Sequence, residues 1–252
     1  MDDILKKNLQ YLGLTTIARQ FDTEAAAAAE KQTSAIDFFS DMILAEVSAR
    51  QERSVNRKIK KACFPAMKTL ADFDWTAPEK INRELVQYLF RLDFIHRKEN
   101  AVFIGQPGTG KTHLMTALGY QACRCGMNVL FAQAIDIIND LSEVAGQPEY
   151  NQRFRKYRSP DLLCIDEIGY LPIDERGADL FFQVISARYE TGSTVLTSNL
   201  AYQDWAPVFA HNTCLTAAIL DRIIHRCHTV VIEGSSFRMK DAARQMENRP
   251  EA

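Results

Sequence analysis

Long apolar runs and patterned cysteines are both missing from the 252-residue chain. No stretch approaches the roughly 18 apolar residues of a membrane helix, and the first residues, MDDILKKNLQ, lack the apolar core of a secretory signal. We therefore expect a cytoplasmic protein with no membrane segment. The six cysteines form no C-x-x-C pair and show no metal-ligand spacing, so a metal or redox site is not predicted. The closest two, Cys123 and Cys125, are expected to be buried free thiols on a helix.

An excess of one charge sign is also absent. The chain carries 30 lysine and arginine residues against 32 aspartate and glutamate residues, a formal net charge of −2. This balance gives no global sign of nucleic-acid binding, so any such function has to come from local clusters of charge. Hydrophobic residues make up 46% and charged residues 25%, as in soluble globular proteins, and the length allows one large core with a smaller accessory unit.

The first 70 residues or so contain almost no strand signal. Their apolar residues recur at helical spacing: Leu5, Leu9, Leu12, Phe38, Phe39, Met42 and Ile43. One unbroken helix is predicted from about Asp37 to Cys63, because Pro65 disfavours helical backbone in the residue before it. We predict a helical N-terminal domain over residues 1–72, followed by a second domain over residues 73–252.

The charge of this helical region reverses along the chain. Residues 1–46 carry four basic and eight acidic groups, whereas residues 47–68 carry seven basic groups and one acidic group. Such a charge run is either a solvated helix face or a surface that contacts the phosphate backbone of DNA, and the sequence leaves both open. The candidate DNA-binding residues here are Arg50, Arg53, Arg57, Lys58, Lys60 and Lys61.

Beyond a linker at residues 69–78, short apolar runs alternate with helical segments, which is the pattern of a parallel sheet with helices between its strands. The candidate strands are residues 101–104, 129–132, 162–166, 194–198 and 229–233. The sequence therefore predicts an α/β fold with a five-stranded parallel sheet, preceded by a small all-α domain.

A phosphate-binding loop is the strongest motif in the sequence. Residues 105–112, GQPGTGKT, match G-x-x-x-x-G-K-[ST] and lie between the apolar run AVFI and the helical run HLMTALGYQA. The glycines let backbone N–H groups converge on phosphates, Lys111 reaches the β and γ oxygens, and the Thr112 hydroxyl binds Mg²⁺. ATP and Mg²⁺ are the predicted cofactors. The predicted nucleotide contacts are Gly105, Pro107, Gly108, Thr109, Gly110, Lys111 and Thr112.

An acidic pair ends the third candidate strand, in the segment LLCIDE. Asp166 can hold Mg²⁺, and Glu167 is the candidate base that orients the attacking water. Asn199 follows the next strand and is expected beside the γ-phosphate, although an asparagine after a strand also suits a plain turn. Together with Lys111, these residues predict ATP hydrolysis, in which catalysis is mostly positioning and charge stabilisation.

Two arginines lie one helical turn apart before the last candidate strand, in the segment DRIIHR. An arginine inserted into a neighbouring subunit's site would neutralise transition-state charge and make hydrolysis depend on assembly. Arg222 is favoured for this role over Arg226. The alternatives are a surface charge or an ion pair with Asp221.

Several longer segments resemble one family. They are FDW from residue 73, NAVFIGQPGTGKTHLMTALG from 100, LLCIDEIGYLPID from 162, RYETGSTVLTSN from 188, ILDRIIHR from 219 and SSFR from 235. Together they resemble the IstB-like ATPases, which are transposition helper proteins of insertion sequences, related to helicase loaders and replication initiators of the AAA+ class. The resemblance covers nearly the whole chain.

The resemblance implies an AAA+ core, a helical N-terminal domain, ATP-dependent homo-oligomers on duplex DNA, and a transposase partner. By position, Lys111 and Thr112 resemble the family's phosphate and magnesium contacts. Asp166 and Glu167 resemble its acidic pair, and Asn199 resembles its first sensor.

The same resemblance makes Arg222 the arginine finger, and a shifted alignment with initiators places Arg226 there instead. His113, which follows the phosphate loop as in the family, is included with the nucleotide-site residues, where a structural role is expected rather than a catalytic one. A helical lid with a second sensor arginine is not expected beyond Arg238, so the nucleotide pocket would be open or completed by a neighbouring subunit.

Related initiators carry an extra helix that faces DNA between their second and third strands. The corresponding helical stretch here runs from Ala134 to Tyr157. It ends in a second candidate DNA-binding cluster: Arg153, Arg155, Lys156 and Arg158. A solvated helix end is the alternative.

The leading interpretation is an ATP-dependent transposition helper that assembles on duplex DNA and directs a transposase, with ATP hydrolysis driving its disassembly. Three alternatives stay open: a replicative helicase loader that prefers single strands, a small-molecule P-loop kinase, and a nucleotide-gated scaffold with negligible turnover. A kinase needs an acceptor pocket and a closing lid, and the sequence indicates neither.

Overall fold

The computed structural model describes residues 2–237, and the chain divides into two compact units, the first ending at Arg57 and the second beginning at Lys58. The first three helices are α1 (Asp3–Tyr11), α2 (Thr15–Glu30) and α3 (Ala35–Lys61). The helical character of the N-terminal region is therefore confirmed. The long helix expected to start near Asp37 is α3, whose bounds differ from the prediction by about two residues at each end.

The division between the two units precedes the domain boundary predicted at residue 72. Residues from Lys58 onward belong to the second unit, because Ala62 is buried in its core and Phe64 packs against that core. The Phe131 N–H donates to the Ala62 carbonyl at 2.8 Å. Residues after α3 therefore cover a strand edge that would otherwise present unpaired backbone groups.

In the first unit, α3 carries a buried carboxylate, Glu46, which is only 3% exposed. One carboxylate oxygen accepts from the backbone N–H groups of Thr16 and Ile17, at 2.6 and 3.1 Å, and so caps the N terminus of α2. The other oxygen accepts from Arg53 at 2.8 Å. Burial works to raise the pKa of Glu46, but these hydrogen bonds outweigh it and leave the pKa below its ordinary value. The fold therefore favours the ionised form.

Glu46→Gln is expected to destabilise the protein by about 1–3 kcal/mol at about pH 7, because a neutral amide caps α2 less strongly and leaves Arg53 without its anion. Since the native pKa is lowered, the stabilising contribution is complete above the unfolded-state pKa and is lost as the pH falls through the native pKa. Urea unfolding at about pH 7 and about pH 3 measures the difference. The control is Glu52→Gln, an exposed site on the same helix, and a Glu46→Gln effect of undiminished size in acid would contradict this account.

The second unit is built on a six-stranded sheet in the order β1-β6-β2-β5-β4-β3. The strands are β1 (Lys80–Ile81), β2 (Asn100–Gly105), β3 (Val129–Gln133), β4 (Leu162–Ile168), β5 (Ser193–Ser198) and β6 (Cys227–Glu233). Strands β2 to β6 run parallel, which confirms the α/β class and the five predicted strands. The predicted total of five is wrong, because β1 adds a two-residue antiparallel edge beside β6 that is too short to leave a periodic pattern.

Helices cover both faces of this sheet. They are α4 (Arg83–Leu89), α5 (Asp93–His96), α6 (Lys111–Arg124), α7 (Ala134–Glu143), α8 (Tyr150–Arg158), α9 (Glu175–Arg188) and α10 (Thr213–Ile224). Neighbouring residues of β2 enter different cores, since Phe103 packs with α6 whereas Val102 packs in the cluster formed by α7 to α10. Burial on both faces explains why the strands read as continuous apolar runs. No described helix is long and apolar enough to span a membrane.

Two local expectations need correction. The helical stretch from Ala134 to Tyr157 is two helices, α7 and α8, because Gly146, with a φ of +81°, and Pro148 interrupt it. Cys123 is buried, and burial raises its pKa to about 11, but Cys125 is exposed at the end of α6.

Arg188 is a buried cation at the end of α9 and is only 1% exposed. It donates to the carbonyls of Tyr157, Arg158 and Pro160, each at 3.0 Å, and to two residues at the start of β5. Burial lowers its pKa to about 10, so it stays charged at neutral pH. Arg188 thereby links the end of α8 to the beginnings of β4 and β5.

Candidate nucleotide-binding site

The polar residues predicted for the site lie at one edge of the sheet. Strand β5 pairs with β2 on one side and with β4 on the other. Because these strands are parallel, the loop after β2, the end of β4 and the residue after β5 meet at the carboxyl edge, where α/β proteins bind their ligands. The structure thus brings together the phosphate loop, Asp166, Glu167 and Asn199.

The phosphate loop joins Gly105, the last residue of β2, to α6, which begins at Lys111. Gly108 and Gly110 have φ angles of +81° and +94°, which residues with side chains rarely adopt. A Cβ on Gly110 would also lie 2.7 Å from the Phe73 ring, so the loop is shaped around glycine. It leads into the N terminus of α6, whose first N–H groups lack helical acceptors and favour a bound anion.

Hydrogen bonds within the loop and from a later segment hold its shape. The Thr109 hydroxyl donates to the Gln106 carbonyl at 2.8 Å, and Pro107 is exposed at the tip between them. The Phe237 N–H donates to the Gly108 carbonyl at 2.9 Å. The segment that follows β6 therefore supports the loop. The next residue of the SSFR motif, Arg238, lies outside the described residues, as does any lid beyond it.

Lys111 and Thr112 occupy the first turn of α6. The Lys111 ammonium donates to the carbonyls of Gly105 and Gln106, at 2.6 and 2.8 Å, and so lies over the loop. The Thr112 hydroxyl donates to both carboxylate oxygens of Asp166 at 3.1 Å. A cation over the loop, with a hydroxyl and a carboxylate beside it, suits a phosphate chain and its metal ion.

Asp166 is buried, with 4% of its surface exposed, and two hydroxyls satisfy its carboxylate. Thr112 donates from α6, and Thr197 donates from β5. Mg²⁺ prefers hard oxygen ligands and is usually held by one or two carboxylates together with phosphate oxygens. The residues present therefore fit the predicted metal ion.

Glu167 occupies a strained position in β4. Its φ is +64°, in the left-handed region that glutamate rarely adopts, and the pairing of β4 with β5 is irregular between Ile165 and Ile168. The Glu167 residue is exposed at the carboxyl edge. Strain of this kind is concentrated at functional sites, where surrounding contacts hold a residue in an unfavourable conformation.

Asn199 directly follows β5 and is exposed. Its amide oxygen lies 3.4 Å from the position that a Cβ on Gly169 would take. Asn199 thus lies beside the turn that follows β4, just past the end of the strand between β2 and β4.

A cleft of about 350 Å³ opens beside the phosphate loop, and residues 65–77 contribute its second wall. The Phe73 ring packs against the His113 ring at 5.4 Å between centroids, and His113 Nε2 lies 2.9 Å from the Thr69 carbonyl oxygen. His113 therefore holds this wall in place. Residues 69–78, predicted as a linker, thus form part of this wall. The aromatic pair in FDW is the sequence signal that indicates a packed segment here.

The two candidate finger arginines are not brought to the phosphate loop. The Asn100 side chain, at the start of β2, donates to the backbone carbonyl of Arg222 at 3.5 Å, whereas the loop follows the other end of that strand. The Arg222 guanidinium lies over the Phe182 ring at 4.7 Å. Arg226 lies 4.0 Å from the Glu190 carboxylate. Both arginines are therefore remote from the nucleotide site of their own chain.

The predicted DNA-binding residues fall into two groups. Five have side chains bonded within the protein: Arg50 to the Gly13 carbonyl, Arg53 to Glu46, Lys58 to Gly126 and Asn128, and Arg153 and Lys156 to Asp140. Five are exposed and form no side-chain hydrogen bond or ion pair with the described residues: Arg57, Lys60, Lys61, Arg155 and Arg158. The second group is therefore available to phosphates without any change in existing contacts.

A phosphate loop, an acidic pair and a polar residue at the ends of neighbouring parallel strands define a P-loop nucleotide-binding protein. Solved structures with a similar fold include a DNA replication initiation factor, at 26% identity and a TM-score of 0.53 over 71% of this chain and 54% of that chain. The replication initiator DnaA bound to AMPPCP and single-stranded DNA is similar at 24% identity and a TM-score of 0.57, over 75% of this chain and 58% of that chain. The DnaC helicase loader matches at 20% identity and a TM-score of 0.51, over 63% and 98%. The fold is that of the AAA+ class, and the chain spans little more than half of the two initiator chains.

The chain belongs to the family of IstB-like ATP binding proteins, whose family model matches residues 7–245. A relative from Bacillus thuringiensis subsp. berliner, named for ATP binding in insertion sequence IS232, is 35% identical over 237 residues, which are 94% of each chain. A relative from Pseudomonas aeruginosa, named likewise for insertion sequence IS21, is 37% identical over 214 residues, which are 85% of this chain and 80% of the relative. The family resemblance of the sequence motifs is thereby confirmed.

Nucleotide binding in the cleft is expected to change the fluorescence of Trp75. Its ring packs edge-on against Phe73, 5.0 Å between centroids, and the Arg83 guanidinium lies 4.7 Å above its face, so a shift of the cleft wall alters its surroundings. The other tryptophan, Trp205, is fully buried in the core on the opposite face of the sheet. Titration with ADP should shift the emission of the wild type and of Trp205→Phe. An equal shift in Trp75→Phe would contradict this assignment.

Proposed function

We propose that the chain is an ATPase that assembles on duplex DNA in its ATP-bound form and directs a transposase to that DNA. The observation that carries the proposal is the contact between the Thr112 hydroxyl and the Asp166 carboxylate, 3.1 Å apart and directly beside the phosphate loop. This contact joins a phosphate-binding element to an acidic metal ligand. Membership of a family named for ATP binding, with relatives named for insertion sequences, supports the same function.

Each residue of the site has its own task in the proposed hydrolysis. Lys111 neutralises charge on the β and γ oxygens of ATP. Thr112 and Asp166 hold Mg²⁺, which would offset the charge that develops on the phosphate oxygens. Glu167 orients and polarises the attacking water, and Asn199 contacts the γ-phosphate or that water.

Assembly is part of the proposal because no arginine is among the described residues that line the cleft. Phosphoryl transfer in P-loop proteins is commonly accelerated by an arginine supplied from a neighbouring chain. Arg222, which is remote from the nucleotide site of its own chain, is our candidate for this role, and Arg226 is the second candidate. Hydrolysis would then require contact between copies and would end the assembled state.

Duplex DNA is the proposed partner of the exposed basic residues Arg57, Lys60, Lys61, Arg155 and Arg158. Contacts of these side chains would go to phosphates, so binding would be largely independent of sequence and would weaken steeply with salt. A transposase and further copies of the chain are the other proposed partners. The names of the relatives support the transposase, since they associate the family with insertion sequences.

The proposal is tested by measuring assembly. Gel filtration and electron microscopy compare the protein with duplex DNA, with single-stranded DNA and without DNA. Large complexes are expected only with ATP and duplex DNA, and Lys111→Ala should prevent them because the ammonium that holds the phosphates is lost. Raising the salt from about 50 to about 200 mM should weaken the complexes strongly. A preference for single strands would indicate a helicase loader instead, and a monomer under all conditions would contradict the assembly mechanism.

Glu167→Gln is expected to separate nucleotide binding from turnover. The amide keeps the size of the side chain but cannot act as a base, so ATP should bind normally while phosphate release falls at least about 100-fold. Complexes on duplex DNA should then persist longer than those of the wild type. Glu175→Gln, an exposed carboxylate at the start of α9, is the matched control. Unchanged phosphate release and unchanged residence on DNA would point to a nucleotide-gated scaffold.

A further inference from the structure

Thr197 lies in the middle of the site, although its residue type attracts no attention in the sequence. It belongs to β5, the strand between the phosphate loop strand and the acidic strand, and only 1% of its surface is exposed. Its hydroxyl donates to Asp166 Oδ1 and accepts from the backbone N–H of Glu167 at 3.0 Å. One buried group therefore contacts both acidic residues.

The direction of these two hydrogen bonds is fixed by chemistry. A backbone N–H can only donate, so the Thr197 oxygen accepts from Glu167. A hydroxyl has a single proton and a carboxylate oxygen accepts, so that proton goes to Asp166 Oδ1. The Thr197 hydroxyl thus gives its only proton to the Asp166 carboxylate, and its oxygen accepts from the backbone of the candidate base.

A bulge in β4 explains why a side chain is needed here. Ile165 pairs with Leu196 and Ile168 pairs with Ser198, so two residues of β4 lie opposite Thr197 alone. Two residues against one is the arrangement of a β-bulge, which interrupts the regular ladder and re-aims side chains. The Thr197 hydroxyl supplies the acceptor for the N–H of Glu167, whose φ of +64° marks the strained point of the bulge.

We propose that Thr197 is a positioning residue for nucleotide hydrolysis: its hydroxyl holds the Asp166 carboxylate toward the Mg²⁺ position and fixes the bulge that presents Glu167. The proposal rests on the proposed ATPase function. Thr112 also donates to Asp166, but it comes from α6, on the phosphate side of the site. When Thr112 turns to a metal ion, Thr197 is the hydroxyl that keeps the carboxylate oriented.

Thr197→Val is the central variant, because valine has nearly the same shape and the same β-branching but lacks the hydroxyl. Loss of a residue that orients a metal ligand typically lowers metal affinity or activity by about 10- to 100-fold. We expect kcat for ATP to fall by about that factor with little change in KM. The gain in ADP affinity on adding Mg²⁺, measured by calorimetry against EDTA, should shrink by about 10-fold, while the affinity in EDTA stays unchanged.

Two further variants separate positioning from packing. Thr197→Ser restores the hydroxyl and should recover most of the Mg²⁺-dependent affinity and of kcat. Thr216→Val is the matched control, since Thr216 is an equally buried threonine on α10 whose hydroxyl donates at 2.7 Å to the Asn212 carbonyl one helical turn back. It should leave both measurements at the wild-type level. Thermal melting checks folding, and Thr197→Ala replaces Thr197→Val if the valine variant does not fold.

The possible outcomes distinguish this inference from the proposed function. A wild type that neither binds nor hydrolyses ATP contradicts the ATPase assignment and the inference with it. An active wild type with a folded Thr197→Val variant that keeps kcat and Mg²⁺-dependent affinity within about twofold overturns the role of Thr197 alone. Failure of Thr197→Ser to recover more than Thr197→Val would also overturn it, because shape rather than the hydroxyl would then be decisive.

Discussion

The buried carboxylate of Asp166 is the group on which the rest of the site depends. It belongs to β4 and accepts from a threonine on α6 and a threonine on β5, so three elements converge on one charge. A buried carboxylate is costly unless its oxygens are hydrogen-bonded, and two hydroxyls supply those bonds here. The hydrogen bonds that this buried carboxylate needs therefore also hold it in position as a ligand suited to Mg²⁺. The strand order makes this possible, because β5 lies between β4 and β2, the strand that leads into the phosphate loop.

Residues with positive φ angles lie on both sides of this carboxylate. Gly108 and Gly110 have positive φ angles in the phosphate loop, and Glu167 has one in the β4 bulge. Glycine adopts such angles without strain, whereas glutamate does not. Glu167 is exposed, so packing of its side chain does not offset this strain, and the contacts of the bulge hold its backbone in place. The remote position of Arg222 adds a second constraint, because no arginine within residues 2–237 lines the cleft of its own copy.

Local sequence patterns predict the phosphate loop and the parallel strands. The rest of the site depends on contacts between residues that are distant in the chain. The phosphate loop and the five parallel strands follow from a contiguous motif and from apolar runs, which chain neighbours alone determine. Thr197, the bulge at Glu167 and the wall at residues 65–77 depend on cross-strand register and on loop packing, which periodicity does not specify. The sequence predicts where basic residues cluster, but not which of their side chains are already paired within the protein. Whether a basic side chain is available depends on its partners, as with Arg53, which is bonded to Glu46 from the same helix.

The most direct test of the central claim is calorimetric titration of ADP into the wild type and Asp166→Asn, each with Mg²⁺ and with EDTA. The account predicts that Mg²⁺ tightens ADP binding to the wild type, and that Asp166→Asn loses this gain while its affinity in EDTA stays close to that of the wild type. An equal gain from Mg²⁺ in both proteins, or no binding of ADP to the wild type, would contradict a Mg²⁺-nucleotide site at this edge of the sheet.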